Sequence, residues 1–81
     1  MTLDDVRALA FNVCALPTPT VVTPKPDANG ELPAIYKYWL AHPEVGTRMS
    51  KEYRLDDGTV AQIMATGHVL QWVGGEDVIV H

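Results

Sequence analysis

Apolar residues recur at helical spacing in two stretches of the chain and alternate with polar residues through most of the rest. Leu3, Val6, Leu9, Ala10 and Val13 mark one side of a helix, with Arg7 and Asn12 on the other. Thr2 and Asp5 stand where a capping box places them, with Asp5 in the position more often held by Glu. Pro17 biases Leu16 away from helical backbone. A first helix is therefore expected over residues 3–15.

The second helical stretch is apolar at Leu32, Ile35, Tyr36, Trp39 and Leu40. Pro33 suits a first helical turn, where its missing N–H is not needed, and Pro43 stops the run near Ala41. A helix is expected over residues 32–41. Between the two helices, residues 17–30 read Pro-Thr-Pro-Thr-Val-Val-Thr-Pro-Lys-Pro-Asp-Ala-Asn-Gly. The prolines forbid helix and remove ladder donors, so this segment is expected to be an extended strap anchored by Val21 and Val22. It either crosses its own domain, docks on a neighbouring subunit, or hangs as a tether.

From Met49 to His81 the pattern alternates. Ser50–Leu55, Thr59–Ala65, His68–Val73 and Val78–His81 read as strands. Asp56-Asp57-Gly58, Thr66-Gly67 and Gly74-Gly75-Glu76-Asp77 link them, each with glycine where a hairpin needs positive φ. Short links join neighbours, so the sheet is expected to be an antiparallel meander. Val60, Gln62 and Met64 alternate with Ala61, Ile63 and Ala65, and Leu70 and Trp72 with Val69 and Val73. Both faces are thus partly apolar. The second helix is expected on the side of Ile63, Leu70 and Trp72. The other face is left for the first helix and the strap, or for another chain. The fold class is α+β, one domain over residues 1–81. Its parts are an N-terminal helical segment (1–16), the strap (17–30) and a helix-plus-meander unit (31–81).

Composition narrows the function. A chain of 81 residues buries only about 60–65% of the surface its unfolded form exposes, so domains of this size often lean on a partner or an oligomer. A homo-oligomer is among the expected states. Net charge is −4 and the basic residues are scattered, which argues against nucleic acid and against an anionic membrane surface. No apolar run approaches the ~20 residues of a membrane span, so membrane insertion is not expected. The acidic Met-Thr-Leu-Asp-Asp start has the wrong charge for a secretory signal. The expected locations are the cytoplasm of a bacterial host, or a virion or extracellular setting reached after lysis.

Candidate chemistry is sparse. His42, His68 and His81 have no metal-ligand spacing. Cys14, the single cysteine, falls on an apolar helix face, as a buried inert thiol would. Asp56-Asp57 lacks the further ligands of a calcium loop. No catalytic residue, metal or cofactor is assigned, and the chain is expected to be non-enzymatic. Trp39 and Trp72 either fill the core or offer platforms to a sugar or a protein partner. With Tyr53, Val21 and Val22 they are the candidate contact residues.

One resemblance bears on function. Ile35, Trp39, Val45-Gly46, Ser50, Glu52, Asp57-Gly58, Gln62, Gly67, Leu70 and Trp72 form a skeleton over residues 35–72. It resembles the LGFP-type repeat of bacterial envelope proteins and some phage-encoded lytic proteins. The signature tetrapeptide itself reads Val45-Gly46-Thr47-Arg48 here. The resemblance implies a helix-plus-meander unit without catalytic activity that attaches to the cell wall. The first functional expectation is therefore a binding module, phage-encoded or cellular, for wall glycan or another envelope component. The second is a structural protein of a phage virion, a head or tail decoration that contacts neighbouring subunits through its proline-rich arm. The third is a small acidic protein inhibitor.

Overall fold

The computed structural model describes residues 1–12 and 24–81. The expected end of the first helix, Cys14, and the first half of the strap, with Val21 and Val22, lie outside the described residues.

Helix α1 spans Leu3–Phe11. Its capping box forms as expected. Thr2 N–H donates to Asp5 Oδ2 at 2.9 Å and Asp5 N–H to Thr2 Oγ1 at 3.3 Å, which satisfies donors the first turn would otherwise leave open. At Asn12 the N–H returns to the carbonyls of Leu9 and Ala10. The buried side of the helix consists of Val6 and Ala10.

Helix α2 spans Ala34–Ala41. Pro33 precedes it with an extended ψ of 142°, and its carbonyl accepts from Lys37 N–H at 3.0 Å to open the ladder. Leu32 therefore falls outside the helix. Leu40 also leaves the expected apolar stripe, being 53% exposed. Ile35 is the deeply buried residue, and Tyr38 and Trp39 pack beside it. At 3.6 residues per turn these two lie within about 60° of Ile35 around the helix, whereas Leu40 lies about 140° away. A single 3₁₀ turn, Pro43–Val45, follows.

Four strands, β1 (Tyr53–Arg54), β2 (Val60–Ile63), β3 (Val69–Gly74) and β4 (Asp77–Val80), form one antiparallel sheet in the order β1-β2-β3-β4. This is the expected meander, with two local differences. The first strand shrinks from Ser50–Leu55 to Tyr53–Arg54 because Ser50 is buried and its Oγ takes the Ile63 N–H at 2.9 Å. A side chain thus replaces a ladder carbonyl there. The last link tightens to Gly75-Glu76, with an irregularity between Trp72 and Gly74.

The register of β2 and β3 decides the layering. Ile63 pairs with Val69 and Gln62 with Leu70, and directly paired residues share a face. Ile63 therefore joins Val6, Ala10, Leu55, Ala61 and Val69 in a cluster under α1. Leu70 joins Ile35, Val45 and Met64 under α2, with Trp39, Val60, Trp72 and Val78 packed against them. The expectation that Ile63 would lie with Leu70 and Trp72 beneath the second helix is corrected. The face that the sequence left open is covered by the chain's own first helix.

Each face holds a residue with no exposed surface, and the two sides are expected to respond alike. Ile63→Ala and Leu70→Ala should each destabilise by about 2–5 kcal/mol in urea melts. Leu40→Ala should stay within about 0.5 kcal/mol. A small loss at either buried position would show that its helix does not seal that face.

Candidate functional site

The two tryptophans have different surroundings. Trp39, partly buried like Trp72, is engaged by neighbours from its own domain. Its indole N–H donates to Gly46 O at 2.7 Å. Its ring stacks on Tyr36, centroids 5.7 Å apart, and the Arg48 guanidinium lies 4.7 Å above its centroid and 4.8 Å above that of Tyr36. Cation–π attraction is strongest on tryptophan. Gly46 has φ +90°, and a Cβ there would come within 2.8 Å of Thr66 Cγ2. The turn thus needs glycine to bring its carbonyl to the indole, and Thr66 Oγ1 braces it by donating to Val45 O at 2.7 Å.

Trp72 is half-buried and faces open space. Its N–H donates to Gly75 O at 2.9 Å, so the β3–β4 turn holds the ring in place. On one side of it lies a groove of about 400 Å³, lined by Glu31, Leu32, Ala34, Lys37, Tyr38, Gly75 and Glu76. On the other lies an apolar groove of about 200 Å³, lined by Pro33, Ala34, Ile35, Glu52 and Val60. Lys37 crosses the larger groove, with Nζ 3.0 Å from Glu31 and 3.3 Å from Glu76. Its hydrogen bonds to Glu31 first, then to Glu76, hold its pKa above the ordinary lysine value. Two rings beside a cation and two carboxylates make an apolar platform with donors and acceptors at its rim. That arrangement suits a ligand with one flat apolar face and hydroxyl or amide groups around it.

Of the candidate contact residues, Tyr53 lies on the opposite face, packed against the α1 cluster with Lys51 Nζ 5.7 Å from its ring centroid. The structure does not bring it to Trp72. Lys37, Tyr38 and Glu76 were not singled out from the sequence. Tyr38 was legible in principle, since it stands three positions after Ile35 on the helix. Lys37 and Glu76 are 39 positions apart, and no local pattern links them.

Three carboxylates leave their ordinary range and all go down. Asp5 is held by the Thr2 backbone and hydroxyl, Glu44 by its own backbone N–H and His42, and Asp57 by the Thr59 hydroxyl and backbone. A downward shift favours the ionised form, which is the opposite of what a general acid needs. Among the described residues, no group of three His, Cys, Asp or Glu is placed to hold a metal, and no helix is long and apolar enough to cross a membrane. The histidines do not converge on a site. His42 stacks on Tyr38 at 4.1 Å and contacts Glu44, and His68 Nδ1 meets His81 O at 3.1 Å.

His81 ends a hydrogen-bonded relay. Its Nε2 lies 2.8 Å from Gln71 Oε1, Gln71 Nε2 donates to Thr59 Oγ1 at 3.1 Å, and Thr59 Oγ1 donates to Asp57 Oδ1 at 2.6 Å. Since Gln71 presents its oxygen, Nε2 of His81 carries the proton.

Comparison with known proteins yields no family model, no curated protein and no solved structure that matches the chain.

Two measurements test this geometry. Trp39→Phe keeps the ring stack but loses the indole bond, and should cost about 1 kcal/mol in denaturant melts. Burial first, and Arg7 second, push the His81 imidazole below its ordinary value of 6.5. The unfolded chain then binds the proton more readily than the folded one, so this residue's contribution is present above about pH 6.5 and declines as pH falls. Between about pH 7 and pH 5 the wild type should lose more stability than His81→Gln. Parallel curves for the two proteins would remove that role from His81.

Proposed function

We propose that this chain is a non-catalytic binding module whose ligand is wall glycan of the bacterial envelope, seated against Trp72. The observation that carries the reading is the state of that ring. It is fixed by Gly75 and partly exposed where it lines two grooves, with Tyr38 and the Lys37–Glu31–Glu76 ion pairs at the rim. A pyranose has an apolar face that stacks on an aromatic ring and equatorial hydroxyls that need charged partners. The likeness of residues 35–72 to the LGFP-type repeat supports the same reading. Trp39, already engaged by Tyr36, Arg48 and Gly46, serves the fold in this account.

A role in virion assembly draws on a different observation, the exposed apolar residues Ile79 and Val80 on the edge strand β4. The inhibitor reading has weaker support. Asp5 and Asp56 both act on the Met1 amine at one end of the molecule, while Glu76 is engaged with Lys37 at the groove.

Co-sedimentation with purified cell walls tests the proposal. The wild type should be retained, and Trp72→Ala should weaken retention about tenfold or more, the loss expected for an aromatic side chain buried on binding. Trp39→Phe should bind as the wild type does. Failure of the wild-type protein to sediment with walls would end the glycan reading.

A further inference from the structure

The outer edge of β4 carries an inference about self-association. Among the described residues β4 pairs with β3 on one side only. His81 and Val69 exchange both backbone hydrogen bonds, at 2.9 and 3.2 Å, and Gln71 pairs with Ile79 two positions on. Bonded and non-bonded pairs alternate along an antiparallel ladder. Ile79 and His81 therefore direct their N–H and C=O groups at β3, and Val78 and Val80 direct theirs outward. Between Asp77 and His81 the edge carries no charge, proline or glycine. Ile79 is 44% and Val80 38% exposed. The opposite edge differs. There β1 has only two residues, and exposed Lys51, Glu52 and Arg54 surround it. Short length and charge are the usual protection of a sheet edge, and β4 lacks both along its apolar middle.

We propose that β4 pairs antiparallel with β4 of a second copy of this chain, about a twofold axis at Ile79, to make one continuous sheet. The sequence Asp77-Val78-Ile79-Val80-His81 is nearly symmetric about Ile79, which selects a second copy as the occupant. In that register the outward groups of Val78 meet those of Val80 in the other copy, and every free N–H and C=O of the pair finds a partner. Ile79 falls opposite its counterpart as a non-bonded pair, where Cα atoms approach to about 4.5 Å. Asp77 falls opposite His81 of the other copy. His81 shares a groove with Arg7, so the carboxylate of one copy arrives at the basic end of the other.

Sedimentation from about 1 μM to about 1 mM protein, with amide exchange followed by NMR, tests this arrangement. A dimer is expected, and the Val78 and Val80 amides should gain protection as it forms, while Ile79 is protected throughout. Ile79→Lys sets like charges together at the axis and should weaken the dimer roughly a hundredfold. If that variant does not fold, Asp77→Lys should weaken the dimer and Asp77→Lys with Arg7→Glu should restore it. A monomer across the whole range would overturn the proposal, as would a dimer in which Val78 and Val80 exchange freely. A dimer that is indifferent both to Ile79→Lys and to the charge exchange would overturn it too.

Discussion

The pairing of Ile63 with Val69 across the β2–β3 hairpin sorts the apolar side chains of the sheet between two layers. A strand repeats every two residues, so a slip of one position in this pairing would set Ile63 and Ala61 on the same face as Leu70. The two helices could not then both be satisfied. Val6 and Ala10 of α1 meet Ile63 and Val69, and Ile35 of α2 meets Leu70 and Met64. Each cluster is small, and in a chain this short neither would hold a sheet alone. Stability therefore rests on both faces being sealed at once by helices of 9 and 8 residues.

Polar side chains reinforce that register from within. Gln62 is buried on the α2 side and donates to Ser50 O at 2.8 Å, while Ser50 Oγ receives the Ile63 N–H. On the α1 side Gln71 joins His81 to Thr59. No buried side-chain nitrogen or oxygen among the described residues lacks a partner. A buried donor left unpaired costs about 1–3 kcal/mol, so these bonds penalise a slipped register. Ser50 and Gln62 thus form one contact 12 residues apart in sequence.

The candidate site follows from the same layering. Because Trp72 pairs with Val60 and Val78, it emerges on the α2 side at the margin of that helix. The hairpin then holds its indole N–H, and the start of α2 supplies Lys37 and Tyr38 beside it. Trp39 sits on the same layer, and the Gly46 turn and Arg48 engage it. Two residues of one type on one layer thus have different contacts.

Local patterns were enough to place the capping box at Thr2 and Asp5, the second helix before Pro43, and the meander with its glycine turns. Each depends on spacing or on backbone preferences within a few residues, and those act in any tertiary setting. They were also enough to show that both sheet faces are apolar. Only the tertiary structure decided which helix covers which face, because that depends on hairpin register, and register is set by packing across the whole sheet. It also decided that Ser50 ends the ladder early, that Tyr53 lies apart from both tryptophans, and that Lys37 bridges Glu31 and Glu76. Contacts between residues distant in the chain carry no local signature, since the energy that selects them exists only once the layers have closed.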